Sequence, residues 1–162
     1  MAGATRGKDF KIYINTDASP YGYSGSPTWT EWNIVRDVTR NLGNIMADSS
    51  IRATEFYLEV PTLTQLTIDA QSVYVPSDVC LQELEAAFYD KEAVEIVVLD
   101  GPIGTIGSRG VYFVANVTKF NDTEALEGVG MVDVTLSPSG LDTAHLPARV
   151  QVLAPNVLTP MS

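Results

Sequence analysis

The side chains that most often carry enzyme chemistry are scarce in this sequence. It holds one histidine and one cysteine, His145 and Cys80. His145 lies in a loop-like segment, residues 140–147, with no nucleophile motif nearby, so nothing indicates a Ser/His/Asp triad. One histidine and one cysteine are too few for the usual zinc sites. A single cysteine also forms no disulfide within the chain.

Two further patterns resemble catalytic or binding motifs, and each has a simpler interpretation. The glycine-rich stretch 101–110 lacks the Gly-Lys-Ser/Thr ending of a phosphate-binding loop and has an apolar run on each side, which favours a turn. Glu83 and Glu85 would point to different faces of a helix, unlike the facing carboxylates of a glycosidase. We therefore expect a protein that is not an enzyme and has no catalytic residues, no cofactor and no bound metal.

Most of the chain follows the two-residue period of β-strands. Apolar and polar side chains alternate at 10–14, 32–34, 56–60, 66–68 and 132–136. The runs 94–99 and 111–120 are apolar almost throughout and rich in β-branched residues. Such runs are typical of strands that are covered on both faces.

One segment follows a helical period instead. Its apolar residues recur at positions i, i+4, i+7 and i+8, which predicts a helix over about residues 78–91. Ser77 or Asp78 can cap its first turn. The residues that form the apolar stripe are Cys80, Leu84, Ala87 and Phe88, so Cys80 is expected to be a small buried apolar residue.

The remaining segments show neither period. Residues 15–28 are rich in Ser, Gly, Tyr and Pro, and residues 37–52 contain Asn, Gly, Asp and Ser, so both are predicted to be long loops. Residues 141–162 contain three prolines and are predicted to form an extended C-terminal arm. Six to eight strands with one helix after about the fourth predict a mostly β domain over residues 1–140. The expected architecture is a β-sandwich or a small barrel with a flanking helix.

The net charge of the chain limits how it can interact with nucleic acid. The 162 residues carry a net charge of −10. Residues 1–52 hold six bases and five acids, whereas residues 53–162 hold four bases and fifteen acids. An acidic chain lacks the basic face that grips phosphates, which argues against tight binding of nucleic acid. The charge does not exclude a role near nucleic acid.

Several segments, taken in order, resemble phage tail tube proteins (major tail proteins). Residues 29–39 are similar to an aromatic strand followed by Val-Arg-Asp-Val-Thr, and residues 47–52 to the acid–small–small–Arg stretch behind it. Residues 79–101 resemble a helix-then-strand unit that ends in Asp-Gly. Residues 110–120 and the later Val-Asp-Val-Thr-Leu-Ser-Pro stretch resemble the closing pair of strands. The resemblance covers residues 8–140, so the C-terminal arm has no part in it.

The resemblance implies a β-sandwich-like tube fold with a flanking helix and a structural role. In that family hexameric rings stack into a hollow tail shaft that carries DNA into the host. The expected partners are further copies of the chain, the tape measure protein and, in a contractile tail, the sheath. DNA would pass without specific binding, and no membrane is involved. The expected location is the virion tail, after assembly in the host cytoplasm.

The resemblance also suggests roles for particular segments. Sheet edges are expected to pair between neighbouring subunits and close a barrel around the lumen. The arm at 141–162 is expected to latch across a neighbour. Loop 37–52 is expected to contact the next ring, through Arg40, Ile45, Met46 and Asp48. Acids that would line the lumen and repel phosphates are Glu55, Glu59, Asp69 and Asp133.

Two alternatives stay open at this point. A tube protein of a type VI secretion system shares the general fold and would differ in the machine that it serves. A monomeric β-sandwich carbohydrate-binding module would instead stack sugars on exposed aromatic rings, for which Trp29, Trp32, Tyr21 and Tyr23 are the candidates.

Overall fold

The computed structural model describes residues 10–16, 28–53, 55–124, 128–140, 147–155 and 157–161. Within these ranges nine strands and one helix follow one another along the chain. They are β1 (Lys11–Asn15), β2 (Trp29–Glu31), β3 (Val35–Asp48), β4 (Glu59–Val73), α1 (Val79–Asp90), β5 (Ala93–Leu99), β6 (Arg109–Thr123), β7 (Met131–Pro138), β8 (Ala148–Ala154) and β9 (Val157–Pro160). The helix follows the fourth strand, and the chain is mostly β, as predicted.

The strands form one antiparallel sheet in the order β2-β1-β5-β6-β7-β4-β3. Strand β6 joins its two halves. On one side β6 pairs with β5 up to Asn116; on the other it pairs first with β8 and then, from Ala115, with β7. Strand β9 adds to β8. Side chains from both halves of the sheet share one core, so the sheet bends around that core as a sandwich-like or barrel-like fold must.

Two apolar cores cover opposite faces of β5 and β6. The main core takes Val94, Ile96 and Val98 from β5, and the second core takes Val97 and Leu99. Strand β6 alternates in the same way. This arrangement confirms the prediction of burial on both faces for 94–99 and for the first part of 111–120. Thr118 and Lys119 are exposed, because the second core ends at Val114 along β6. The main core also receives α1, β4 and β7, whereas the second core receives β8 and β9.

Helix α1 has the predicted period and one of the two predicted N-cap residues. The Asp78 side chain accepts a hydrogen bond from the backbone N–H of Leu81 at 2.9 Å, which makes Asp78 the N-cap. Lys91 ends the helix in a left-handed conformation, with φ at 57°, and donates its N–H to the carbonyl of Ala87. The buried face of the helix consists of Cys80, Leu81, Leu84 and Ala87.

The connection between β5 and β6 is a turn, as predicted, and its ends are fixed by Asp100 and Arg109. The backbone N–H of Asp100 donates to the carbonyl of Arg109 at 2.8 Å, and the Asp100 carboxylate accepts the N–H of Arg109 at 2.7 Å. Gly107 adopts a φ of 97°, a backbone conformation that residues other than glycine rarely adopt. The glycines of this stretch therefore serve the turn.

Two predictions about the secondary structure are wrong. Residues 37–48 belong to β3 and pair with β4 as far as Asp48 opposite Glu59, so they are not a loop. Backbone hydrogen bonds to β4 form this strand. Its side chains are exposed on both faces from Thr39 onward, so the sequence shows no alternation of apolar and polar residues that would have predicted a strand. Conversely, Phe56–Leu58, predicted as strand, precede β4 and lie in the turn that closes the β3–β4 hairpin.

The C-terminal segment is not simply an extended arm. Strands β8 and β9 form a hairpin that pairs with β6, and Val150, Val152 and Leu158 are buried in the second core. Its apolar residues at alternate positions make it part of the fold. Residues 141–146, and all of the predicted loop 15–28 except Asn15, Thr16 and Thr28, lie outside the described residues.

Burial of Cys80 leads to a testable expectation about its reactivity. The side chain is 1% exposed. Desolvation, with smaller contributions from the charges of Asp78 and Glu83, raises the pKa of the thiol to about 12. At pH 8 the reactive thiolate is therefore nearly absent. We expect a disulfide reagent to titrate no thiol in the native protein and one thiol per chain in guanidinium chloride. Rapid reaction of native protein would contradict this placement of Cys80.

Candidate functional site

The described residues offer no enzyme-type centre. No three of their His, Cys, Asp and Glu side chains are grouped closely enough to hold a metal ion. No helix in the described part of the chain has the length and hydrophobicity needed to cross a membrane. His145 lies outside the described residues. The features that invite a functional explanation are a polar sheet face and an exposed hairpin.

The polar face is formed by β3, β4, β7 and the second half of β6. In these strands alternate side chains, such as Ile68 and Val134, point into the main core, so their neighbours point away from it. Two rows of paired residues cross this outer face. They are Asp37–Gln71–Asp133–Asn121 and Thr39–Asp69–Thr135–Lys119. Every member of both rows is polar or charged.

Hydrogen bonds tie the polar face together from strand to strand. Both carboxylate oxygens of Asp69 accept a bond at 2.8 Å, one from the Asn41 amide on β3 and one from the Thr135 hydroxyl on β7. The Gln71 amide donates to Asp133 at 3.3 Å. In the two rows three carboxylates face a single base, Lys119, so the face is negative.

The structure divides the four predicted lumen acids into two pairs. Asp69 and Asp133 lie on adjacent rows of the polar face. Glu59 starts β4 opposite Asp48, and Glu55 lies in the turn before it, so both belong to the far end of the hairpin. The sequence analysis did not single out Asp37 for this face. The polar residues at alternate positions, Asp37, Thr39 and Asn41, could have indicated this face, but the segment was predicted to be a loop.

The exposed hairpin is the part of β3 and β4 that extends beyond the rest of the sheet. Strand β7 supports β4 only from Ile68 to Val73. Beyond that point, from Asn41 opposite Thr67, the described residues form two paired strands only. All residues from Asn41 to Asp48 and from Glu59 to Gln65 are exposed. Isolated two-stranded hairpins are marginally stable in water, so this one is expected to pack against another surface.

The hairpin exposes many large apolar side chains. Phe56 is 77% exposed, Tyr57 69% and Leu63 67%. The other exposed apolar side chains are Leu42, Ile45, Met46, Ile51, Leu58 and Val60. A patch of this kind marks an interaction surface.

The four residues predicted for ring stacking all lie on β3. Ile45 and Met46 are exposed near the far end of the hairpin, and Arg40 lies nearer its base. Asp48 closes the turn, because its carboxylate accepts the backbone N–H of Ser50 at 2.8 Å. This bond and one from the Ser50 hydroxyl hold the pKa of Asp48 below its usual value. The stabilisation is present above the usual pKa and is lost as the pH falls through the lowered one.

Comparison with known proteins identifies the fold. No family model and no curated protein matches the sequence. The tail of an empty gene transfer agent particle, refined with C6 symmetry, matches with a TM-score of 0.66, 15% identity, and 98% of this chain and 100% of that chain covered. The SPP1 tail tube matches with a TM-score of 0.72, 10% identity, and 94% and 82% covered. The native gene transfer agent virion matches with a TM-score of 0.64, 15% identity, and 90% and 99% covered.

The chain has a tail tube fold. None of these three neighbours is described as a secretion-system tube or as a carbohydrate-binding module. A sugar-stacking platform also fits the tail tube fold of this chain poorly, because Trp32 is 1% exposed and Trp29 packs edge-on against buried Tyr112 at 6.3 Å. Tyr21 and Tyr23 lie outside the described residues.

The role of Asp48 can be tested at the turn of the hairpin, where Arg52 provides a trypsin site. We expect Asp48→Ala to speed cleavage after Arg52 several-fold in unassembled protein, because the Ser50 N–H loses its acceptor. Time courses followed by mass spectrometry measure the rate. Glu59→Ala is the matched control, since it removes the carboxylate paired across the hairpin. Equal cleavage rates for wild type and Asp48→Ala would contradict a structural role for that bond.

Proposed function

We propose that this chain is the structural, non-enzymatic subunit of a phage-like tail tube. Copies form six-membered rings, and the rings stack into a hollow conduit for DNA. The observation that carries the proposal is a tail tube fold over nearly the whole chain, shared with a tail of C6 symmetry. The subunit works in the virion tail after assembly in the host cytoplasm, next to a tape measure protein and, in a contractile tail, a sheath.

Ring closure is supported by two open sheet edges. Among the described strands β3 pairs only with β4, and β6 after Asn116 has β7 on one side and no described strand on the other. Because neighbouring strands are antiparallel, β3 and β6 run in opposite directions across the four-stranded half-sheet. The β6 edge of one copy can therefore add to the β3 edge of the next as an antiparallel pair. Repetition around the ring closes a barrel without free edges.

The polar face is the surface we assign to the lumen. It lies opposite the main core, so a barrel built from these half-sheets can place its polar rows inside and its helix outside. Asp37, Asp69 and Asp133 give the face a negative charge that repels phosphates. DNA would then slide through without being held.

The exposed hairpin is the surface we assign to contacts between rings. Its apolar side chains lie beyond the part of the sheet that β7 supports, and burying them against another subunit removes them from water. The residues proposed for stacking are thus extended from Ile45 and Met46 to Phe56 and Tyr57. Arg40 and Asp48 keep other roles, at the base and at the turn.

The contribution of the hairpin to stacking can be tested with Phe56→Ser/Tyr57→Ser. Both side chains are highly exposed in the single subunit, so the variant should fold normally. We expect rings but no long tubes in negative-stain electron micrographs, because the apolar contact between rings is lost. Ile106→Ser is the control, since Ile106 is 63% exposed but lies in the β5–β6 turn. Tubes of normal length from the double variant would refute the stacking role.

The assignment of the lumen can be tested with Asp37→Lys/Asp133→Lys. We expect tubes of this variant to retain short labelled duplex DNA at low salt, and wild-type tubes to retain none, because the wall changes sign. Retention should fall steeply as salt increases. Glu83→Lys/Glu85→Lys makes the same charge change on α1, across the main core, and should retain no more DNA than wild type. Equal retention by both variants would overturn the assignment.

A further inference from the structure

Three arginines converge on one cleft of about 360 Å³ beside the base of the hairpin. Arg40 comes from β3, Arg109 from β6 and Arg149 from β8, and all three are exposed. Asp100 also lines the cleft, where its carboxylate accepts the backbone N–H of Arg109. We call this feature the cationic cleft. It collects three of the ten bases of a chain whose net charge is −10.

The arginines of the cationic cleft form no ion pair with any described residue. The ion pair that the described residues contain joins Lys11 and Glu31 at 2.9 Å and involves none of the three arginines. Guanidinium groups stay charged at all physiological pH values, so three that converge repel one another. An anionic partner that enters the cleft would relieve this repulsion and gain charge-assisted hydrogen bonds.

A group of acids lies on the opposite side of the four-stranded half-sheet. Its position is fixed where α1 ends and β5 begins, because the rings of Phe88 and Phe120 stack at 6.2 Å and Ala93 pairs with Asn116. We call this group the acidic corner. Its members are Asp90, Glu92, Asp122 and Glu124, all exposed, with Lys91 as a single base among them.

The acidic corner is unfavourable for the isolated subunit. Asp90 is the last residue of α1, and the last turn of this helix holds no basic residue. A negative side chain at this end of a helix is repelled by the helix dipole. The described residues provide no cation to offset it beyond Lys91, which caps the helix. A positive surface from a partner would compensate this repulsion.

We propose that the cationic cleft of one copy receives the acidic corner of the next copy in the ring. The inference rests on the proposed function, because it uses the ring in which β6 of one copy pairs with β3 of its neighbour. The corner adjoins the free part of β6, which begins after Asn116, and the cleft contains Arg40 of β3. Joining these edges brings surfaces of opposite charge together. Such a head-to-tail contact repeats around a closed ring.

The contact also makes the ring selective about which edges meet. Two copies joined through their β3 edges would place cleft against cleft, and two joined through β6 would place corner against corner. Like charges at close range oppose both arrangements. Edge pairing alone carries no such discrimination, because backbone hydrogen bonds are the same for every strand. The charges therefore favour the one pairing that closes a ring.

The inference can be tested by reversing charges on each side and then on both. Arg40→Glu/Arg149→Glu and Asp90→Lys/Glu92→Lys should each raise the protein concentration needed for ring formation by about tenfold or more, since close interfacial charge pairs have large coupling energies. The four substitutions combined should restore assembly toward the wild-type level. Analytical ultracentrifugation and negative-stain microscopy at 0.15 M salt measure rings. Glu83→Lys/Glu85→Lys is the charge-matched control for Asp90→Lys/Glu92→Lys, with circular dichroism to verify folding of every variant.

Each outcome decides a separate question. If wild-type protein forms no rings, the proposed function fails. If wild type forms rings and either reversed variant assembles equally well, only the contact between cleft and corner is refuted. Failure of the combined variant to assemble better than the two separate ones also refutes it. If Arg40→Glu/Arg149→Glu assembles normally but loses binding of inorganic phosphate or of a short DNA duplex, the cleft binds that anion instead.

Discussion

Backbone N–H and C=O groups at the edge of a sheet need hydrogen-bond partners, and the open edges of this subunit are subject to that requirement. β6 has lost its β5 neighbour after Asn116, and β3 has no second neighbour among the described strands. A single copy cannot close its own four-stranded half-sheet into a barrel, because such a barrel needs more strands. In the ring that we propose, identical copies supply the missing neighbours, so closure, lumen and ring symmetry arise from one geometric need.

In the proposed tube, the exposed hairpin couples the stability of the subunit to assembly. Two strands with apolar side chains on their surface gain little as long as they stand in water. Once another subunit covers Phe56, Tyr57 and Leu63, the same residues contribute apolar burial. Binding that involves only the folded state raises its apparent stability, so the assembled protein is more stable than the free chain. The rigid parts, with buried β5, β6 and α1, keep the hairpin oriented for this contact.

Prediction from the sequence was correct for elements that bury one face against the main core. The periods of α1, β5, β6 and β7 are set by contact with the main core, and Asp78 was recognisable as a helix cap. It failed for β3 because strands exposed on both faces carry no apolar alternation. It failed for the C-terminal hairpin because prolines obscured the apolar spacing of Val150, Val152 and Leu158. Of the four predicted lumen acids, only Asp69 and Asp133 share a face, since the hairpin carries the others away.

By itself the sequence determined that the chain is a mostly β protein with one helix, without the residues of common enzyme centres, and acidic overall. Those conclusions depend on residue types and local periods, which are readable along the chain. Tertiary structure alone decided which charges meet. Asp37, Asp69 and Asp133 come from three strands far apart in sequence, and so do Arg40, Arg109 and Arg149. The order and register of strands bring them together, and burial of the apolar faces of the strands in the two cores fixes that register.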